Sequence, residues 1–314
     1  MAAFPITEWF VKSFSNTVYH VSQQGDSRLF GHARQETQNA KMKAFDRLAE
    51  TTARLKQSRH EDTPFIQMDH SRRNVILKDY DWATLVDDVD KIRMLNMPTS
   101  EYVMAAKKAF NRAKDEQFII ALDAAALAGE NADSTVAHPN SQKIAATNGT
   151  IHTGLNVFTL RAIKKKFRAN EALEDGEMIY MAITAEQLDD MLAETEITSS
   201  DYNSVKALVQ GEVDTFMGFK FIHTELLNVS ADGLSFSDTT GAQAAPGAGV
   251  TSGDGYRKCF AWTASGMISS TGQDITARIS ERDDKCYSVQ PYVKMSVGAV
   301  RMEEVKVVAV YVKE

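Results

Sequence analysis

The clearest hydrophobic pattern in the chain lies at 98–128, PTSEYVMAAKKAFNRAKDEQFIIALDAAALA. Tyr102, Ala106, Ala109, Phe110 and Ala113 recur at helical spacing and predict one apolar stripe. Thr99 and Ser100 stand behind Pro98 as N-capping side chains, Glu101 suits the positive end of the helix dipole, and Gly129 marks a stop. A helix over 98–128 would be about 45 Å long at 1.5 Å per residue, a natural spine. Its FIIALDAAALA run is apolar nearly all round, which predicts deep burial of the C-terminal half. The same periodicity predicts helices at 155–169, 184–194 and 199–211. Thr184 caps the second of these, with Gln187 at the capping-box position, and Gly211 closes the third.

Strand signals fall at 73–79 (Val75, Ile76, Leu77), 178–183, 215–227 and 304–312. Ile275, Ala277 and Ile279 alternate before an ERDD turn, and Val293, Met295 and Val297 alternate after it. That pattern predicts a long hairpin over 274–297. Residues 41–57 are ambiguous. Met42, Phe45, Leu48 and Ala49 fit a helical stripe, while the paired threonines and the later spacing fit an extended segment.

Two stretches cannot bury themselves locally. Residues 1–40 carry Gln, Asn, Ser and Gly around scattered anchors such as Phe4, Trp9, Phe10, Val18 and Leu29, and read as an arm that must lie on something else. The polar stretch SRHEDTPFIQMDHSRRN (58–74) joins two elongated segments and reads as the tip of a projecting hairpin. Residues 228–256, rich in Gly, Ser and Ala, read as a flexible surface loop. The fold class is α+β: an arm, a projecting hairpin, one long helix, a mixed domain after it, and a returning β-hairpin. So much protruding chain is usually buried by other subunits.

With 314 residues the chain can bury a sizeable core without disulfides. Its formal net charge of -7 argues against a dedicated nucleic-acid binder. Cys259 and Cys286 form no CxxC motif and read as small buried hydrophobes in a reducing compartment. The start lacks the features of a secretory leader, so synthesis in the cytoplasm is expected, and no apolar run is long enough to span a membrane. His60, Glu61, Asp62, Asp69 and His70 could be written as metal ligands, but no HxxxH or HExxH spacing supports it. GAGVTSGDG (247–255) lacks the GK[ST] of a phosphate-binding loop. The sequons at 148–150 and 228–230 carry no weight without a leader. RAIKKKFR places Arg161, Lys164, Lys165, Lys166 and Arg168 on one helix, either as a solvated face or as a contact for DNA phosphates or an acidic partner.

The order of elements resembles the major capsid proteins of tailed bacteriophages, with the Hong Kong 97-type fold. The wording carries the resemblance too. His70, Ser71, Arg72 and Arg73 precede Tyr80–Asp81, then Asp90–Lys91, then a helix with Ala109, Arg112 and Asp115. GAVRMEEVKVVAVYV closes the chain in the manner of that family, with Lys306 where a glycine is usual. The likeness covers about residues 15–312. It implies an N-terminal arm (1–40), an extended β-hairpin loop reaching over a neighbour (41–90), a peripheral domain with its spine helix (91–150), an axial domain (151–273), a peripheral-domain β-hairpin (274–302) and a C-terminal strand (303–314) that rejoins the axial domain.

It further implies a structural protein, not an enzyme. Such a subunit would assemble as hexamers and pentamers into an icosahedral head around double-stranded DNA, with no sequence-specific binding and no cofactor or metal. Assembly would take place in the host bacterial cytoplasm. The arm begins almost at Met1, so a separate scaffolding protein is expected, with a portal and a decoration protein as further partners. Arg72 and Arg73 can grip carboxylates bidentately and stand as inter-subunit contact candidates, with Asp87, Asp88 and Asp90 as acidic counterparts. Two alternatives remain at this point: an encapsulin-type nanocompartment shell, and a metal-dependent enzyme using the 60–70 cluster.

Overall fold

A computed structural model describes residues 23–56, 58–59, 62, 65–86, 99–148, 151–173, 176–194, 215–227, 229–230 and 256–313. The predicted helix at 199–211 and the glycine-rich run at 247–255 lie outside them. In chain order the elements are β1 (Arg34–Thr37), β2 (Met42–Leu48), β3 (His70–Ile76), β4 (Lys78–Ala83), helix α1 (Thr99–Asp123), β5 (Ala126–Ala128), β6 (Ser134–Val136), β7 (Lys143–Ala145), β8 (Thr147–Asn148) and β9 (Ile151–His152). Then come α2 (Val157–Ala169), β10 (Ile179–Ile183), α3 (Ala185–Ala193), β11 (Thr215–Phe216), β12 (Phe219–His223), β13 (Val229–Ser230), β14 (Tyr256–Thr263), β15 (Met267–Arg282), β16 (Ser288–Arg301) and β17 (Val307–Lys313).

The chain divides into two compact units. The smaller takes in Asp79–Ala113 and Gln273–Ser296 with the chain up to Asp26; the larger takes in Ser27–Lys78, Lys114–Gly272 and Val297–Glu314. In the smaller unit the distal halves of β15 and β16 form the predicted hairpin, turned at Asp283–Lys285. Thr84 and Val86 donate to Pro291 O and Val289 O, and Ser296 donates its hydroxyl to Asp79. Val293 and Met295 are buried, as the alternation predicts, whereas Ile279 on the opposing strand is exposed.

The larger unit is built on a sheet in the order β11-β12-β10-β14-β17-β7, with β13 paired to β14. β17 runs antiparallel to β14 and parallel to β7, so the last strand lies inside the sheet. Val307 to Val312 are all buried, the unbroken apolar run expected of a strand covered on both faces. Leu160, Ile163 and Phe167 of α2 are buried, and Asn156 caps that helix by accepting from Thr159 N at 2.8 Å. Thr184 and Gln187 form the predicted capping box of α3, with Thr184 N donating to Gln187 Oε1 at 2.9 Å.

A second, smaller core joins Val75, Ala126, Ile268 and Val300, with Phe45 and Met302 against it. Here β2 and β3 pair antiparallel from Met42↔Ile76 to Leu48↔His70, which makes Met42–Leu48 of the ambiguous 41–57 segment a strand. β3 passes so close to β16 that a Cβ at Gly298 would sit 2.7 Å from Ile76 O, so only glycine fits there.

Three expectations need correction. The spine helix ends at Asp123, not 128, because Ala126–Ala128 leave it to pair with β3 and β6. The buried guanidinium of Arg301 fixes that stop by donating to Leu122 O (2.7 Å) and Ala124 O (3.1 Å) at the negative end of the helix dipole. Burial of the helix's second half is one-sided: Phe118, Ile119 and Leu122 face the core, but Ile120 lies on the far side and is exposed. Cys259 is buried as expected, while Cys286 is exposed in a left-handed conformation at the β15–β16 turn.

Arg301 also donates to Val136 O at 3.3 Å. Arg301→Met therefore strands three carbonyls. Urea unfolding of the unassembled subunit is expected to show a loss of about 3 kcal/mol or more.

His138 gives a second prediction. Burial, then the nearby Arg301 charge, pushes its pKa down to about 4, against a backbone hydrogen bond to Val307 O; Lys143 lowers it further and Asp123 opposes. The folded state thus holds this proton more weakly than the unfolded one. Its contribution is full above about pH 6.5 and drains as pH falls towards 4, about 3 kcal/mol in all. His138→Gln should flatten the stability profile across that window.

Candidate inter-subunit contact surfaces

Of the family-like triplet on the spine helix, Ala109, Arg112 and Asp115, the two polar members bind the segment at 23–30. In the smaller unit Arg112 Nη1 donates to Gln23 Oε1 at 2.6 Å, and Asn111 Nδ2 donates to Gly25 O at 2.9 Å. In the larger unit the Asp115 carboxylate is fully buried and collects four donors from one short segment. They are Ser27 Oγ (2.6 Å), Arg28 N (2.9 Å), Leu29 N (3.1 Å) and Phe30 N (3.3 Å). A carboxylate is the only kind of side chain with enough acceptor sites for that many donors. Sequence reasoning found the motif but not the role. A lone Asp on a helix does not reveal that its donors lie 85–88 residues away.

The β2–β3 hairpin carries the arginines singled out from sequence. Arg72 lies opposite Asp46 and pairs with it at 2.6 Å, both partly exposed. The hydrogen bond from Arg72 holds the Asp46 carboxyl below its usual range, against a small burial penalty. Arg73 points the other way and is only 4% exposed. Its Nη2 meets Glu304 at 2.7 Å, and Arg47 reaches the other oxygen of Glu304 at 3.4 Å. Burial raises the Glu304 pKa, but Arg73, its own backbone and Arg47 together bring it below the ordinary value. Both arginines thus have a carboxylate within the chain. Asp87, Asp88 and Asp90 lie outside the described residues, as do His60 and Glu61.

Beyond this root the hairpin is bare. Leu55 is 82% exposed and Phe65 97%, with Leu48, Ile66 and Met68 also open to solvent. Asp62, Asp69 and His70 are exposed on the same tip. Among the described residues no three His, Cys, Asp or Glu converge to hold a metal ion.

The basic cluster of α2 splits. Lys164 turns inward to donate to Met217 O at 2.6 Å, and Lys166 is half-buried. Arg161, Lys165 and Arg168 face solvent on one stripe with Phe158.

Buried cations at the root of the β2–β3 pair and large apolar side chains left exposed beyond it make the kind of surface that marks an interaction site. Residues 6–314 match the family model for phage capsid protein, and the chain belongs to that family. The fold agrees. The capsid protein of cyanophage P-SCSP1u superposes with a TM-score of 0.73 over 100% of this chain and 96% of that one, at 14% identity. Cyanophage Pam1 gives 0.72 over 100% and 99%, at 11% identity. The capsid of the Helicobacter pylori phage KHP30 gives 0.69 over 100% and 98%, also at 11%. No curated protein matches the chain. It is a phage capsid protein, a structural subunit, and its place is the capsid of the virion. The encapsulin alternative is not favoured by these matches.

Asp115→Ala should free the arm's root. Limited proteolysis is expected to cut near 23–30 much faster than in the parent chain, and unfolding stability to fall by about 3 kcal/mol, since four donors, three of them backbone N–H groups, lose their acceptor.

Proposed function

We propose that the subunit assembles as hexamers and pentamers into a closed head around double-stranded DNA, in the cytoplasm of a bacterial host. The observation that carries this reading is the hairpin tip, with Leu55 and Phe65 nearly bare on a strand pair whose root is fixed by buried charge. A lone monomer would gain nothing from exposing them; a neighbour's surface would remove them from water at about 25 cal/mol per Å². In this reading 1–40 is the arm, 41–90 the loop that overlaps the neighbour, 91–150 with 274–302 the peripheral domain, 151–273 the axial domain, and 303–314 the closing strand.

Arg72 remains the arginine able to exchange its exposed partner Asp46 for a neighbour's carboxylate, with Asp87, Asp88 and Asp90 as the acids on offer. Arg73 serves the hairpin root instead. The head's interior needs no sequence-reading site, and the net charge of -7 suits a wall that does not hold its DNA. A separate scaffolding protein sets curvature, a portal occupies one vertex, and a decoration protein is a further partner.

Negative-stain microscopy with sedimentation, on the chain expressed alone and with its neighbouring phage genes, tests this. Expected are shells, tubes or capsomer rings, with regular closed heads only when the scaffolding gene is present. Uniform closed heads from the chain alone would remove the scaffolding protein from the account. A monomer or dimer under every condition would sink the assembly reading altogether.

A further inference from the structure

Two helices of the larger unit present stripes of opposite charge. On α2, Phe158, Arg161, Lys165 and Arg168 are exposed and fall on one face at intervals of three and four residues. On α3, Glu186, Asp189 and Ala193 do the same at i, i+3 and i+7. Among the described residues, none of the three cations or two acids has an ion-pair or side-chain hydrogen-bond partner. Leu155 N, two residues before α2, donates to Asp190 Oδ2 of α3 at 3.0 Å. Asp190 is thereby used inside the chain, which leaves Glu186 and Asp189 as the outward acids.

An isolated subunit has no need to sort its surface charge in this way; mixed signs on each helix would solvate as well and would add i,i+4 pairs within each helix. The sorting matters when one helix must meet another chain. We propose that the basic α2 stripe of one copy docks against the acidic α3 stripe of a second copy, with Phe158, 51% exposed, as the apolar centre of a charged rim. A self-assembling chain with both signs on its surface carries its own complement, whether the copies are related by a two-fold or arranged head to tail in a ring.

Packaged DNA is the weaker occupant for the α2 stripe. The chain is acidic overall, which disfavours a phosphate partner. This inference rests on the self-assembly reading above, and its test separates the two.

The test is sedimentation velocity of the full chain at low salt and at 1 M salt, on four proteins. These are the parent; Arg161→Glu/Lys165→Glu/Arg168→Glu; Glu186→Lys/Asp189→Lys; and the chain carrying all five changes. Circular dichroism confirms folding. The parent should self-associate, and 1 M salt, with a screening length of about 3 Å, should weaken it about tenfold. Each partial reversal should weaken association at low salt by about tenfold or more, and the five-fold reversal should restore it, because the signs are complementary again. Restoration also excludes misfolding as the cause.

A parent that stays monomeric in all conditions overturns the assembly reading and this contact with it. A parent that assembles, with partial reversals that assemble equally well, overturns this contact alone. Normal assembly of the α2 variant, combined with loss of duplex DNA binding in a gel-shift assay, would give the stripe to DNA and likewise overturn the proposal.

Discussion

The junction of α1, β6 and β16 in the larger unit depends on a buried guanidinium. Arg301 is fully buried at the end of β16, where it satisfies carbonyls from the last turn of α1, the residue just after it, and β6. Burying that charge is costly, and burial works to lower its pKa; neighbouring Glu304 offsets this, and Glu304 is in turn gripped by Arg73 from β3 and Arg47 from β2. One electrostatic node thus fixes where the spine helix stops, where β5 and β6 start, and where the hairpin is rooted. Such nodes specify geometry more than they add stability. A subunit that must present a long hairpin at a defined angle needs that specification.

The distribution of polarity around this node inverts the ordinary rule. Arg73, Arg301, Asp115 and Lys306 are inside, while Leu55 and Phe65 are outside. Each buried charge has its work within the chain: Lys306 reaches Ser265 at 2.9 Å, and Asp115 holds the arm's root. The exposed apolar groups have no such work. Interior charge fixes the frame, and exterior hydrophobes wait for a neighbour. Reading either feature in isolation would suggest a poorly folded protein; together they describe one half of an interface.

How far the sequence disclosed this depended on the range of the interaction. The capping box of Thr184 and Gln187, the stripe of α2 and the turn at 283–285 are local, and each was legible from a few neighbouring residues. The end of α1 was not, because Ala124 to Ala128 have good helix propensity, and it is overridden by pairing with β3 and β6 and by a carbonyl-seeking arginine some 175 residues further on. The 41–57 segment was undecidable for the same reason: Phe45 suits a helix or a strand until β3 and Val300 are beside it. Arg73 and Arg72 read as equivalent neighbours. The period-two geometry of a strand sends them to opposite faces, one to Glu304 in the interior and the other to Asp46 at the surface. Only the strand assignment, which rests on a distant partner, could have told them apart.

The contrast between root and surface also sets the strengths that assembly requires. A pairing in the interior, such as Arg73 with Glu304, is shielded from water and salt and holds one geometry. Pairings between exposed groups, such as Arg72 with Asp46, are weak, screened by salt and easily exchanged. A closed head has to place identical chains in slightly different surroundings, at vertices and on faces, and to correct misplaced copies before it closes. Strong contacts between copies would trap errors, while a soft frame within each copy would blur curvature. A rigid charged interior beneath weak, numerous, salt-sensitive surfaces meets both demands. In this chain the division follows from where arginines sit: those with a carboxylate or carbonyl inside the fold build the frame, and those left at the surface are free to choose a partner.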